Sequence, residues 1–133
     1  MTETPVSALW RQAEDHLAVA DLCVSRRYHR IAVSHSYYAV MYATKAAILH
    51  ISGRRADSHK GVQKMFSLEL VRPGLVSSEW GAEVGRLHDL RRRADYDMSE
   101  IFDESAAVAA YERAEAFLGH LRPLIDSIGD GVD

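Results

Sequence analysis

The sequence holds a single cysteine and three prolines in 133 residues, and no apolar run approaches the roughly 18 residues of a membrane-spanning helix. Cys23 alone can form neither an internal disulfide nor a cysteine-based zinc centre, and between Leu22 and Val24 it reads as a small packing residue. Met1-Thr2-Glu3-Thr4-Pro5 offers no basic segment followed by an apolar one, so no secretory signal is read and a cytoplasmic location is expected. There is no glycine-rich phosphate loop, no Ser/His/Asp order in a supporting context and no pair of carboxylates in an expected cleft. Kinase, serine-hydrolase and Rossmann-type nucleotide chemistry are therefore unsupported. The seven histidines form no pair at metal-ligand spacing with a convincing third partner, and neither a metal nor a cofactor is expected.

Charge of one sign is also lacking overall. The formal net charge of −3 excludes a uniformly basic nucleic-acid binder. That small remainder conceals an uneven distribution: residues 1–25 carry −3, 26–64 carry +7, 65–98 carry −1 and 99–133 carry −6. Thirteen of the sixteen basic residues are arginine, whose planar fork suits phosphate or carboxylate. With 47% hydrophobic and 26% charged residues the chain can bury a core, and its length suits one domain, placed over residues 1–128 with a loose tail at 129–133.

Sparse proline and long Ala/Leu/Arg/Glu stretches point to an all-α protein, and apolar periodicity divides it into four long helices and one short one. The first begins at Thr4-Pro5 and carries Trp10, Ala13, Leu17, Ala20 and Val24 as one stripe, with the turn read over Arg26–Arg30. The second, from about Tyr28 to His50, is apolar on two sides. One side is Ile31, His35, Tyr38, Tyr42, Lys45 and Leu49; the other is Ser34, Tyr37, Met41 and Ile48. Such a helix is central in a bundle or lies at an oligomer interface. Gly53 suits a C-cap, Ser58 caps a short helix bearing Val62, Met65, Phe66 and Leu70, and Pro73-Gly74 ends it. Ser77 or Ser78 opens a helix with the stripe Trp80, Val84, Leu87, Arg91, Ala94 and Met98. Asp103 caps the last, along Ala107, Tyr111, Ala114, Leu118, Leu121, Ile125 and Ile128, which Pro123 is expected to kink or interrupt. The architecture read is an up-and-down four-helix bundle with an additional short helix.

Polar residues in apolar slots are the informative positions. Arg91 follows Val84 and Leu87 on one line, so its guanidinium needs a carboxylate or a bound anion. Asp95, four residues on, can brace it within the helix. His59 stands beside Ser58 at a helix start, with Lys60 and Gly61 following, where free amides favour anions; the alternative is a turn histidine bonded to backbone. His88 lies three residues before Arg91 and can share its face. Tyr37, Tyr38, Tyr42 and Tyr96 are core tyrosines with hydroxyls reaching the surface, or platforms for stacked bases. Arg91-Arg92-Arg93 fan around a helix, so two at most face one ligand.

Ser36-Tyr37-Tyr38-Ala39, Ser58-His59-Lys60-Gly61-Val62 and Arg91 followed by Ala94-Asp95-Tyr96, in that order, resemble the prokaryotic HEPN domains. The likeness is to small stand-alone members with an Arg-x-x-Ala-Asp-Tyr motif, over roughly residues 8–125. The resemblance implies a HEPN-like bundle that forms a homodimer with its motif residues near the interface. It further implies a toxin paired with a minimal nucleotidyltransferase antitoxin, and metal-independent cleavage of RNA by an arginine and a histidine four to six residues apart. Here the positions after Arg91 that such a histidine occupies hold Tyr96, Asp97 and Met98. The candidate catalytic set is therefore Arg91 as phosphate clamp with Asp95, Tyr96 or His59 assisting, and the candidate binding set is Tyr37, Tyr38, Lys60 and Arg92. Tyr96 is a poor base at neutral pH, its ordinary pKa being about 10. The alternative is a non-catalytic module that binds a nucleotidyltransferase partner or a nucleotide.

Overall fold

The computed structural model describes residues 3–97 and 99–130, with side chains as far as Asp126. Five α-helices follow one another: α1 (Pro5–Ser25), α2 (His29–Ser52), α3 (His59–Phe66), α4 (Ser78–Tyr96) and α5 (Glu104–Asp130). Among the described residues there is no strand, and no helix is long and apolar enough to cross a membrane.

The boundaries follow from local chemistry. Thr4 Oγ1 accepts the Ser7 N–H at 3.0 Å and Pro5 occupies the first turn, where no amide donor is needed. Three residues, Arg26 to Tyr28, make the α1–α2 turn, with Arg27 in the left-handed region at φ 65°; His29 and Arg30, expected in that turn, already belong to α2. Gly53, at φ 72°, closes α2 with its N–H on the Leu49 carbonyl. Ser58 caps α3 through the Gly61 N–H at 2.9 Å, and Ser77 caps α4. Asp103 Oδ1 takes the Ala106 N–H at 2.9 Å at the head of α5. Between α3 and Gly74 the chain widens into a π-helical turn, Ser67–Val71.

α2 packs against every other helix, whereas α1 packs on α2 and α5 only. Ala32, Ala39, Ala43, Ala46 and Ala47 are fully buried along α2 and allow close approach of its neighbours. Two of its buried hydroxyls are satisfied within the helix, Ser36 Oγ donating to the Ala32 carbonyl and Thr44 Oγ1 to Val40. On the far side Phe117 of α5 meets Phe66 at 6.0 Å and Trp80 at 5.7 Å between ring centres, which joins α3 and α4 to the bundle.

Most of the expected stripes face the core, with differences at particular positions. Ile31 is exposed, and the rest of its stripe on α2 (His35, Tyr38, Tyr42, Lys45, Leu49) is half-buried. Phe117 and Ala110 join the buried face of α5. Met98 and the Ile128 side chain lie outside the described residues. α5 runs on through Pro123, so of the kink or interruption expected there the interruption does not occur. Pro123 and Gly119 are both exposed, so the carbonyl deprived of its amide partner faces water, while Leu118, Leu121 and Ile125 stay buried on the other side. Of the tail expected at 129–133, α5 includes residues 129–130, and 131–133 lie outside the described residues.

Arg30 ties the end of α4 to the start of α2. Its guanidinium donates to the carbonyls of Ala94 (2.5 Å), Asp97 (3.1 Å) and Arg93 (3.2 Å), and to that of Glu100, and it lies 5.3 Å over the Phe102 ring. Of these, the Arg93 and Asp97 carbonyls also accept the N–H groups of Asp97 and Glu100, and a charged donor suits the C-terminal end of a helix. Arg30→Ala is expected to cost about 2 kcal/mol, since hydrogen bonding to a charged group contributes about 1.5–3 kcal/mol net. The urea midpoint checks it; an unchanged midpoint means water replaces the guanidinium at no cost.

Candidate functional site

The polar cluster sits where α2, α3 and α4 meet. Arg91, from the α2-facing side of α4, lies with Cζ 5.1 Å from the Tyr37 ring centre and 5.9 Å from those of Tyr38 and Tyr96. One terminal nitrogen reaches Asp95 Oδ2 at 3.3 Å, and Asp95 Oδ1 accepts the Ser34 hydroxyl at 2.5 Å. Arg91 is thus braced by a carboxylate one turn away, as its slot requires, and that carboxylate is held by α2. Its Nε is nevertheless buried without a hydrogen-bond partner among the described residues. Burial opposes the Arg91 charge, but the Asp95 bond and the Tyr38 and Tyr37 rings outweigh it and raise the pKa.

Tyr37 links this arginine to α3. It is 3% exposed, and its hydroxyl lies 3.2 Å from His59 Nδ1. His59 in turn lies flat on His88, ring centres 3.4 Å apart and planes 13° from parallel. The His88 ring also meets Tyr37 at 5.6 Å. Ser58 fixes the first turn of α3 and so aims His59 inward, while His88 precedes Arg91 by one turn of α4.

The expected site residues therefore divide. Arg91, Asp95, Tyr96, His59, Tyr37 and Tyr38 gather in one cluster, with Tyr96 covering Arg91 while staying 73% exposed. Lys60 is exposed beside the cluster without joining it. Arg92 faces away, into an open cleft of about 740 Å³ that it lines with Asp89, Arg93, Tyr96 and Asp97. Sequence reasoning gave His88 and Ser34 no part in the site. His88 had a signal, its i, i+3 spacing to Arg91; Ser34 had only its place on a buried stripe.

A second histidine pair lies between α1 and α2. His16 and His35 place their Nδ1 atoms 2.9 Å apart, one donating and the other accepting, and His16 stacks on Tyr42 at 5.3 Å. Among the described residues no three His, Cys, Asp or Glu side chains come together to hold a metal ion.

All four paired imidazoles have lowered pKa values. Burial is the main cause in each; the like charge of His35 adds to it at His16, and those of His59 and Arg91 at His88. At His59, burial is partly offset by a hydrogen bond that the ring donates to the Gln63 side chain. Neutral imidazoles at pH 7 can accept protons. Linkage fixes the sign for stability. A folded-state pKa below the ordinary value of about 6.5 means that the unfolded chain binds the proton first. The stability contribution is complete above that pH and is lost as the pH falls below it, down to the folded-state values. The melting temperature is expected to drop between pH 7.5 and pH 5, and to drop less in a His16→Gln/His35→Gln double variant. Equal slopes for the two proteins would show that this pair is not the source.

A sequence model of the HEPN domain matches residues 6–123. A protein of Methanocaldococcus jannaschii named "Putative toxin MJ0605" is 31% identical over 92% of this chain and 90% of its own length. A "UPF0332 protein" of Thermotoga maritima is 30% identical over 89% of each chain. A second M. jannaschii protein, "Putative toxin MJ0142", is 26% identical over 90% of this chain and 80% of its own length.

Proposed function

The chain belongs to the HEPN domain family, and from that premise we propose that it is the toxin of a two-component pair and cleaves RNA without a metal ion. The observation that carries this reading is the convergence of Arg91, its Nε unpartnered, with His59 across the Tyr37 ring. Arg91 supplies a fixed cation for the charge that builds on phosphoryl oxygens, and His59 supplies a base near neutral pH. In the tautomer this step uses, His59 Nδ1 donates to the Tyr37 oxygen and the other ring nitrogen meets the ribose 2′-hydroxyl. That hydroxyl loses its proton to His59 and attacks the adjacent phosphorus, giving a 2′,3′-cyclic phosphate and a 5′-hydroxyl. His59 thus takes the place of the histidine missing after Arg91, from a different helix. Tyr38 and Tyr96 offer ring faces to flanking bases.

The reading includes a homodimer and a minimal nucleotidyltransferase as neutralising partner. The half-buried α2 stripe through Tyr38 and Tyr42, with Ile31 exposed at its start, supports a second copy against this face. Purified protein incubated with single-stranded RNA in EDTA is expected to yield cyclic-phosphate ends. Intact RNA, or cleavage that needs added metal, overturns the proposal.

One observation favours a second reading. Asp95 already occupies part of the Arg91 fork, so the motif can act as a structural brace in a non-catalytic module that binds a nucleotidyltransferase or a nucleotide. Stable co-purification of such a partner with a protein that never turns over RNA supports this alternative.

A further inference from the structure

We propose that His88 is a second proton-transfer group of this site, the acid that protonates the departing 5′-oxygen while His59 acts as base. The inference rests on the ribonuclease reading above and adds a residue that neither the motif nor the family resemblance supplies.

The geometry carries it. The two rings come from different helices, His59 from the first turn of α3 and His88 from α4, and they overlap almost in parallel at 3.4 Å. Rings stacked in that way lie one over the other at about the spacing of the entering and leaving oxygens across one phosphorus. Arg91 stands one turn beyond His88, and both pack on the same Tyr37 ring, so the phosphate clamp and both imidazoles share one floor. Two cations cannot be stacked at this distance at modest cost, so the pair holds at most one proton, and its singly protonated form is the working one. Arg91 and Arg92 act on His88 against a second proton and Asp89 favours it, while Arg91 and Asp89 act likewise on His59; Tyr37 is neutral.

The proton balance closes within the chain. His59 removes the 2′-hydroxyl proton as the 2′-oxygen forms its bond to phosphorus. The bond from phosphorus to the 5′-oxygen breaks, and that oxygen takes the proton of His88. The two steps leave the pair with the same single proton, now on His59, and transfer between the rings or to water resets it. No co-reactant is needed.

The test exploits the leaving group. An RNA oligonucleotide with sulfur replacing the bridging 5′-oxygen, at the linkage the wild-type protein cleaves, expels a thiolate that needs no acid. His88→Gln is expected to lose about 10²–10⁴-fold on ordinary RNA, the usual contribution of a positioned acid, and only a few-fold on the sulfur substrate. His59→Gln is expected to lose heavily on both. In the wild-type protein the high-pH fall in rate should appear with RNA and vanish with the sulfur substrate, a measurement that needs no variant to fold. Equal losses for His88→Gln on the two substrates, with its thermal melt unchanged, overturn the assignment, and so do identical wild-type pH profiles. A wild-type protein inert towards both substrates overturns the ribonuclease reading itself.

Discussion

Arg91→Ala is expected to lower RNA cleavage in EDTA by about 10²–10³-fold, the usual effect of removing one preorganised donor from a developing oxyanion. The size of the effect comes from the position of the guanidinium. It is stacked on Tyr37, held by Asp95 and sheltered from water, so it does not reorganise when charge builds on the phosphate. Stability should change far less. The Arg91–Asp95 pair is partly exposed, and such pairs contribute about 0–1 kcal/mol; Asp95 keeps its bond to Ser34 in the variant. Arg91→Lys should recover only part of the rate, because an ammonium keeps the charge and loses the planar fork that lies on the ring. Retention of full cleavage in Arg91→Ala, with the same product ends, removes Arg91 from the mechanism.

The largest effect on stability is expected at Phe117. Its ring is fully buried and touches Phe66, at the end of α3, and Trp80, in the first turn of α4. Phe117→Ala leaves a cavity where Phe66 of α3 and Trp80 of α4 meet α5, and such truncations cost about 3–5 kcal/mol. Against a total of about 5–15 kcal/mol for a domain, that is a large share. The helices loosened are those that bring His59 and His88 together, so cleavage should fall along with the urea midpoint. Phe117→Leu, which keeps most of the volume, should lose much less of both. An unfolding free energy of Phe117→Ala within about 1 kcal/mol of wild type, at unchanged denaturant dependence, contradicts the packing argument.

Much of this could be read from the sequence because it is local. Thr4, Gly53, Ser58, Ser77 and Asp103 end or begin helices through bonds to residues two to four positions away, and the buried stripes recur every three or four residues. The slot of Arg91 and its pairing with Asp95 follow from one helix alone. What escaped depends on how separate helices are set against each other. His59 reaches Tyr37 from 22 residues away, and Arg30 meets the Arg93 carbonyl from 63 away; no periodicity encodes either separation. The stacking of His59 on His88 and the meeting of His16 with His35 are of the same kind. At Pro123 the helix continues where an interruption was one of the two outcomes expected, because the carbonyl left without an amide partner faces solvent.

The place of α2 in the bundle has a kinetic consequence. Three residues separate α1 from α2, so that hairpin closes at little entropic cost and early. The opposite side of α2 waits for α5, which follows only after a loop of roughly fifty residues has been closed. Until then part of the alanine-rich ridge on α2 is open to water, and it can adhere to another chain as readily as to its own. Folding yield should therefore be most sensitive to concentration during the interval before α5 docks, and substitutions on the inner face of α5 should slow folding as well as hasten unfolding.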